Sequence, residues 1–416
     1  HEIDWRSVYP GGAPHLPLPT YPWQRRRHWV DSKWGGPGRR VDAGALAHVV
    51  EWRPMPRSGS LSSATGERWL LVGDAAGLGR ELAELVRASG GEAVATGGTD
   101  HPAGPYARVV YLRTGEIDPS TTPPRRAARG VEEALRLVRL GSPLWIVTRG
   151  AQDEVGRFED AALWGFGRVA ALERPEAWGG LIDLAAVPGE DDAASVFAEV
   201  AAPDGEDQVA FRGRVRCVPR LVPDRSLDRP AALPVRADRT YLLVGGVAGL
   251  GARVGRWLVD RGARRLALVS RQGASRGDAV AEELAGLGAE VRIFAADATD
   301  AAAMGSVLDE VRRTLPPLAG VVFTVGLTDH EGAIDGLDPA RVAPALAPKT
   351  EGAWILHERT LDLDLDFFVL FGSAAAIWGS REMALYAAAN HWLDGLARHR
   401  RSLGRPAVSV DWGWWA

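Results

Sequence analysis

The chain has 416 residues, of which 46% are hydrophobic and 25% charged, as in an ordinary globular protein of two or three domains. The net charge of -4 gives no basis for binding nucleic acid or a membrane surface, and the one cysteine, Cys217, excludes an internal disulfide. No apolar run reaches the ~18 residues of a membrane span, and residues 1–10 carry no signal-peptide core, so we expect a cytoplasmic protein.

Residues 1–44 are rich in Pro, Gly, Trp and Arg and show little periodicity, which predicts an extended linker lying on a surface. The basic run from Arg25 to Arg27 could bind a polyanion, but it stands between Trp23 and Trp29, which favours a packed anchor. Because the sequence lacks an initiator methionine, we expect it to be a piece of a longer chain.

From about residue 45 the pattern alternates between strands and helices. In the first part we predict strands at 68–73, 108–112, 144–148, 180–184 and 209–218 and helices at 80–89 and 160–173. In the second part we predict strands at 239–245, 265–269, 291–295, 320–324 and 367–371 and helices at 348–358 and 386–399. Regular strand–helix alternation of this kind indicates parallel sheets covered by helices.

An internal repeat divides this region in two. LLVGDAAGLG at 70–79 and LLVGGVAGLG at 242–251 both read as a strand, a glycine turn and a helix start. The proline-rich stretch 222–236 is the natural boundary between the copies. The fold class predicted is therefore α/β, with two Rossmann-like, doubly wound parallel-sheet halves at 45–225 and 226–416.

The second glycine turn predicts a dinucleotide site. Its Gly-x-x-x-Gly-x-Gly pattern lets the backbone approach a pyrophosphate at a helix N-terminus, with Gly245, Gly246, Val247, Gly249 and Leu250 as the candidate contacts. Such a pattern is weak by itself, because tight strand–helix turns also use glycine for steric reasons.

The ends of the next strands supply further cofactor candidates. Ser270 and Arg271 end the second strand, where a basic side chain would meet an adenosine 2′-phosphate, which favours NADPH over NADH. A surface arginine is the competing interpretation. Asp297 and Ala298 follow the third strand near the adenine, and Gly326 follows the fourth, beside the nicotinamide ribose. In the first half the corresponding residues 95–98 offer no acid or base, so we expect that half to have lost the cofactor.

Four residues of the second half could reduce a ketone. This reaction needs a proton for the developing alkoxide, which a tyrosine can give when a cation lies nearby, and a hydroxyl that hydrogen-bonds the carbonyl oxygen. Tyr386 and Asn390 lie four residues apart on one predicted helix, Ser373 follows a strand, and Lys349 lies on an earlier helix. Each has an ordinary structural interpretation alone, but their combination downstream of the glycine turn favours a reductase.

At this point the sequence resembles the ketoreductase domain of modular polyketide synthases, in the short-chain dehydrogenase/reductase superfamily. The segments that carry the resemblance in the catalytic half are VGGVAGLG (244–251), VSRQG (269–273), PKTEGAWILHE (348–358), FVLFGSAAAIWGS (368–380) and the stretch 386–416. The structural half is similar through WLLVGD (69–74) and LWGFGRVAALERPEAWGGLIDL (163–184), and LPLPTYPWQRRRHWV (16–30) resembles the linker after the acyltransferase domain.

The resemblance implies a role for each residue. Tyr386 would be the proton donor, Ser373 would orient the β-carbonyl, and Lys349 and Asn390 would complete the tetrad. The substrate would be a β-ketoacyl thioester on the phosphopantetheine arm of an acyl carrier protein, the cofactor NADPH, and the neighbours acyltransferase and ketosynthase domains of the same polypeptide. No metal is implied.

The resemblance also implies a stereochemical class. Members that form the L-hydroxyl typically carry a tryptophan eight residues before the tyrosine, which is Trp378 here. Members that form the D-hydroxyl typically carry Leu-Asp-Asp where this chain has Leu327 and the following Thr-Asp-His-Glu-Gly. Both observations favour an A-type, L-hydroxyl-forming enzyme.

Three departures from the family's pattern qualify these expectations. Val244 and Val247 replace threonines of the glycine turn, which predicts weaker cofactor affinity. Met383 stands where the family usually has Gln or His, which leaves epimerisation and α-methyl selection open. The sequence stops at 414–416, where the family continues into a lid helix and a final strand, so a piece without them would have an uncovered site.

Two other functions remain as alternatives. A non-reducing scaffold or epimerising domain would share the fold, but such members usually lose a tetrad residue or the cofactor loop. A free-standing short-chain dehydrogenase would not explain the degenerate first half or the acyltransferase-type linker.

Overall fold

In the computed structural model of the chain, the described residues are 47–57, 63–74, 76–98, 100–153, 156–224, 233–326 and 332–413. The predicted linker at 1–44 and Leu327 lie outside these ranges.

The first half contains strands β1 (His48–Pro54), β2 (Arg68–Gly73), β3 (Glu92–Thr96), β4 (Arg108–Leu112), β5 (Leu144–Arg149), β6 (Trp178–Leu184), β7 (Gln208–Arg212) and β8 (Val215–Pro223). Its helices are α1 (Leu78–Ala88), α2 (Pro123–Val138), α3 (Ala161–Glu173) and α4 (Asp192–Ala201).

The second half contains strands β9 (Thr240–Val244), β10 (Arg265–Ser270), β11 (Glu290–Ala295), β12 (Leu318–Phe323), β13 (Phe367–Ser373) and β14 (Val408–Trp412). Its helices are α5 (Gly249–Asp260), α6 (Ala274–Gly286), α7 (Ala301–Thr314), α8 (Val342–Arg359), the short α9 (Ala375–Trp378) and α10 (Ala384–Ser402). No helix of the described ranges is both long enough and apolar enough to cross a membrane.

Each half is built on its own sheet. The second sheet has the order β11-β10-β9-β12-β13-β14 with all neighbours parallel, which is the Rossmann arrangement. The first has the order β1-β8-β7-β6-β5-β4-β2-β3, parallel from β3 to β7 and antiparallel where β8 and β1 are added. The predicted fold class, with two Rossmann-like halves, is confirmed.

Two predicted elements were wrong in detail. The run 209–218 is not one strand, because Gly213, at φ +61°, turns the chain and β7 pairs back on β8. The helix predicted to begin at Pro348 begins at Val342, so the proline lies inside α8. Burial of Val342 and Leu346 stabilises the additional turn and offsets the backbone hydrogen bond that Pro348 cannot donate.

The two halves share one apolar core, in which α3 packs against α10. The helices approach closely because Gly165 has no side chain, and a Cβ there would lie 2.2 Å from the carbonyl oxygen of Ala387. On the other helix, a Cβ at Gly395 would lie 2.5 Å from the carbonyl oxygen of Phe158. The helix that carries Tyr386 is therefore supported directly by the first half.

Candidate active site

A cleft of about 580 Å³ opens where β9, β10 and β12 end. Open α/β sheets bind ligands at this edge, where the strand order reverses. Six of the predicted cofactor residues line the cleft, namely Gly245, Ser270, Arg271, Asp297, Ala298 and Gly326.

The glycine turn at the edge of the cleft requires its glycines. Gly245 has φ +90°, and a Cβ on it would lie 2.7 Å from Oγ1 of Thr324. Gly249 has φ +53°, and a Cβ on Gly251 would lie 2.3 Å from the carbonyl oxygen of Gly245. No side chain caps the N-terminus of α5, so its first amide groups are available to an anion. This arrangement fits the pyrophosphate of a dinucleotide.

The other predicted residues of this turn offer their backbone rather than their side chains. Val247 is buried in an apolar cluster of the second half, and Leu250 packs against the same cluster. A Cβ on Gly246 would lie 2.8 Å from Cβ of Leu243, so that residue too is closely packed. Of the two valines noted as departures, Val247 packs in the core, whereas Val244 lines the cleft.

The equivalent turn of the first half is filled by a side chain. Asp74, which stands where the second half has Gly246, accepts hydrogen bonds from the backbone N–H of Gly77 at 2.9 Å and of Leu78 at 3.1 Å. Its carboxylate also accepts from Oγ1 of Thr114 at 2.9 Å. A carboxylate thus takes the amide groups that a bound phosphate would need. This arrangement supports the expectation that the first half has lost the cofactor.

Asp297 and Arg271 both line the cleft. The backbone N–H of Thr299 donates to Asp297 at 2.9 Å, which lowers the pKa of that carboxyl, and the nearby positive charge of Arg271 lowers it further. Arg271 is exposed and lines the cleft. It therefore presents a cation to whatever the cleft holds.

Lys349 reaches from α8 to the end of β13. Its Nζ donates to the carbonyl oxygen of Phe371 at 2.8 Å, two residues before Ser373, and the side chain is buried. Burial lowers the pKa of Lys349 to about 8, against the opposing effect of the negative charge at Asp411. Near neutral pH the lysine is therefore a buried cation close to Ser373.

Ser373 is held by the neighbouring strand β14. Asp411 accepts a hydrogen bond from the backbone N–H of Ser373, and burial together with the adjacent Asp394 raises the pKa of Asp411 well above its ordinary range. Gly372 makes this contact possible, because a Cβ there would lie 2.2 Å from Oδ1 of Asp411. Within the described ranges, the Ser373 hydroxyl accepts one hydrogen bond, of 3.3 Å, from the backbone N–H of Ala375.

Tyr386 and Asn390 lie one turn apart on α10. The Asn390 amide donates to the carbonyl oxygen of Tyr386 at 2.8 Å, while its buried Oδ1 has no hydrogen-bond partner within the described protein. Leu385, next to the tyrosine, and Pro348, next to Lys349, both line the cleft. The sequence neighbours of Tyr386 and Lys349 thus form part of the cleft wall, whereas none of the four predicted tetrad residues is itself among the residues that line it.

Two of the three predicted stereocontrol residues lie in the segment between Ser373 and α10. Trp378 ends the short helix α9 just after Ser373 and is 60% exposed. Met383 is the residue before α10 and is half-buried. Leu327 lies outside the described residues, so its prediction is not tested by the geometry.

Sequence reasoning missed several residues of the site. Thr324 and Arg341 line the cleft, and Asp411 and Asp394 lie behind Lys349. Thr324 could have been found from its place at the end of a strand. Arg341 precedes a helix whose start was misplaced, and the two aspartates carry no local pattern.

Two family models match the chain. The KR domain model matches residues 239–416, and the model of the Rossmann fold domain of the polyketide synthase extender module SpnB matches residues 50–221. Curated relatives include the pikromycin polyketide synthase component PikAIII of Streptomyces venezuelae, 36% identical over 100% of this chain and 27% of the relative. Erythronolide synthase EryA3 of Saccharopolyspora erythraea is also 36% identical, over 100% of this chain and 13% of the relative. The chain thus spans about a quarter or less of these relatives.

Solved structures are similar over most of their own length. An A1-type ketoreductase is 34% identical with a TM-score of 0.77, covering 90% of this chain and 84% of that chain. A second, an A-type ketoreductase from a modular polyketide synthase, is 33% identical with a TM-score of 0.75 and the same coverage of 90% and 84%. A C2-type ketoreductase is 30% identical with a TM-score of 0.75, covering 88% and 84%.

The fold and the comparisons together define an oxidoreductase domain of the Rossmann class that uses a nicotinamide cofactor. More particularly, the chain belongs to the ketoreductases of modular polyketide synthases, with a structural half before the catalytic half.

Proposed function

We propose that this domain reduces the β-keto group of a polyketide intermediate on an acyl carrier protein to a β-hydroxyl, using NADPH and forming the L-hydroxyl. The observation that carries the proposal is the buried Lys349 ammonium, bonded to Phe371 at the end of the strand that bears Ser373, with Tyr386 on the adjoining helix. A cation, a hydroxyl and a phenol are the parts that ketone reduction requires, and the residues next to Lys349 and Tyr386 line the cleft.

The glycine turn and Arg271 are proposed to hold the cofactor. The amide groups at the start of α5 would bind the pyrophosphate, and Arg271 would bind the 2′-phosphate. When bound, NADPH supplies the hydride for the β-carbon.

The chain's own side chains are proposed to manage the charge and the proton. Ser373 donates a hydrogen bond to the β-carbonyl oxygen, and Tyr386 gives its proton to that oxygen as negative charge develops there. Lys349 stabilises the negative charge that the tyrosine oxygen then acquires. Asn390, bonded to the Tyr386 carbonyl, fixes the first turns of α10, and its buried Oδ1, which has no hydrogen-bond partner within the described residues, remains an acceptor.

The L-hydroxyl assignment rests on Trp378. Its exposed indole ends the short helix α9, which lies between Ser373 and α10. The likeness to an A1-type and an A-type ketoreductase supports this assignment.

The partners and boundaries are proposed from the family. The substrate would arrive on the phosphopantetheine arm of an acyl carrier protein, and acyltransferase and ketosynthase domains would share the polypeptide. Residues 1–44 would form the linker after the acyltransferase, 45–225 the structural half and 226–416 the catalytic half.

The test is turnover of a β-ketoacyl N-acetylcysteamine thioester with NADPH, with the product resolved on a chiral column. We expect the L-β-hydroxy product, and a larger share of the D product from Trp378→Ala. A D product from the unaltered protein would overturn the stereochemical assignment but not the reductase, and a preference for NADH would overturn the role of Arg271.

A further inference from the structure

Helix α3 of the structural half supports the segment between β13 and α10. Arg168 on α3 donates a hydrogen bond to the carbonyl oxygen of Ala376. Gly379, with φ +76°, lies so close to α3 that a Cβ on it would be 2.8 Å from the carbonyl oxygen of Arg168. This segment carries Trp378 and ends at Met383, so α3 helps to position two of the three predicted stereocontrol residues.

The last residue of α3, Glu173, joins two separate segments of the catalytic half. One carboxylate oxygen accepts from the backbone N–H of Ile334 at 2.7 Å, and the other accepts from the backbone N–H of Glu382. Ile334 begins the turn that leads to Leu337 on the wall of the cleft. Glu382 directly precedes Met383. A single carboxylate therefore links the turn before Leu337 to the residue before Met383.

This contact has features that helix stability does not explain. A carboxylate at the C-terminus of a helix is opposed by the helix dipole. Glu382, whose N–H it binds, has φ +64°, the one left-handed conformation among the non-glycine residues of the described ranges. Two unfavourable local features that meet at one contact indicate a functional constraint.

The Ile334 turn has further side-chain supports from the structural half, whereas at Glu382 the side chain that binds the backbone N–H is Glu173. Arg139 of the structural half donates to the carbonyl oxygens of Ile334 and Leu337, and Arg174 pairs with Asp335 in the same turn. Loss of the Glu173 charge should therefore loosen the backbone at Glu382, before Met383, while the Ile334 turn keeps its place and Leu337 its position on the cleft wall.

We propose that Glu173 is a positioning residue that fixes Glu382 and Met383, and thereby controls how the acyl chain enters and which face of its β-carbonyl is reduced. This inference rests on the proposed reductase function. It assigns to the non-catalytic half a direct part in selectivity.

The test compares Glu173→Gln with Glu176→Gln. Both changes remove one carboxylate charge, but Glu176 is exposed and pairs with Arg174 on its own segment. Steady-state kinetics with the β-ketoacyl N-acetylcysteamine thioester, the product enantiomer ratio, and the NADPH Kd from fluorescence are measured for both. Rates are expressed per NADPH-binding site, so that unfolded protein is not counted.

For Glu173→Gln we expect kcat/KM to fall about ten-fold, mostly through KM, because a charged acceptor for two N–H groups is lost. The minor enantiomer should increase several-fold, with the NADPH Kd changed less than about two-fold. Glu176→Gln should match the unaltered protein.

Either of two results would overturn the inference: an unchanged KM and enantiomer ratio in Glu173→Gln, or equal losses of NADPH affinity and turnover at an unchanged ratio. If Glu173→Gln does not fold, Glu173→Asp, which keeps the charge but shortens the reach, is measured in the same way and read by the same criteria. Failure of the proposed function would be distinguishable, because the unaltered protein would then not turn over.

Discussion

At the scale of single residues, the burial of Lys349 predicts how the catalytic activity depends on pH. Its pKa of about 8 means that the cation is lost as the pH rises through that value. If the cation stabilises the charge on Tyr386, kcat/KM should decline above pH ~8.

The matched variant is Lys349→Arg, which stays charged at alkaline pH. We expect lower activity overall but no decline near pH 8 in a profile of kcat/KM from pH 6 to 10. The same alkaline decline in both proteins would show that another group titrates.

Asp74 is the residue that distinguishes the first glycine turn from the second. Asp74→Ala removes the acceptor for two amide groups of α1, so we expect the free energy of unfolding to fall by ~1–2 kcal/mol. Urea denaturation measures this, with Asp74→Asn as the variant that keeps one acceptor oxygen. Because the first half is not expected to bind the cofactor, the NADPH Kd should not change. A higher NADPH Kd without loss of stability would contradict this account.

At the scale of elements, Gly165 determines how closely α3 and α10 pack. In Gly165→Ala the new methyl group would lie 2.2 Å from the carbonyl oxygen of Ala387, next to Tyr386, so the helices must separate. We expect a loss of stability of ~1–3 kcal/mol together with a fall in kcat. Gly286→Ala on α6 is the control, since a Cβ there meets nothing within 4 Å.

A Gly165→Ala protein with unchanged kcat and urea midpoint would show that the two halves are not tightly coupled through this helix pair. A similar loss in Gly286→Ala would mean that the effect is not specific to the contact.

The elements that the sequence predicted well are those with strong local patterns. The strand at 68–73 was predicted to the residue, and the strand at 367–371 was extended only to Ser373, because continuous apolar runs bounded by glycine define buried parallel strands. The start of α8 was missed because Pro348 is a local signal for a helix beginning, while the burial that overrides it is a tertiary effect. Strand β1 was missed because it is an antiparallel edge strand with an exposed pattern.

At the scale of the whole molecule, buried histidines should limit stability in acid. Burial lowers the pKa of His391 to about 4, and the nearby Arg168 contributes. The unfolded chain, with an ordinary value near 6.5, binds a proton between pH 6.5 and 4 that the folded protein does not, so the free energy of unfolding falls as the pH falls through this window.

For His391→Gln we expect the loss of stability between pH 7 and 5 to be smaller by ~2 kcal/mol, as measured by urea denaturation at each pH. His357→Gln is measured for comparison. Burial lowers the pKa of His357 to about 3, so the pH range in which this histidine destabilises the folded protein overlaps that of His391. An unchanged pH dependence in His391→Gln would mean that this histidine is not buried in its neutral form.

The tetrad and the glycine turn remain predictions, and the sequence suggests them because their residues lie on local patterns at the end of a strand or along one helix. Glu173 and Asp74 could not be predicted as site-shaping residues, because their roles depend on which backbone amide groups the fold brings to them. For Glu173 these partners lie about 160 and 210 residues away in the chain. Sequence spacing carries no information on such contacts.

The most direct test of the central claim is to follow the hydride. The protein is incubated with a β-ketoacyl N-acetylcysteamine thioester and NADPH deuterated at both positions of the nicotinamide C4, and the product is examined by mass spectrometry. We predict a β-hydroxyacyl product with one deuterium on the β-carbon, formed by the unaltered protein and lost in Tyr386→Phe. Recovery of unreduced thioester would contradict a reductase, and deuterium transfer that is undiminished in Tyr386→Phe would contradict the role proposed for the tyrosine.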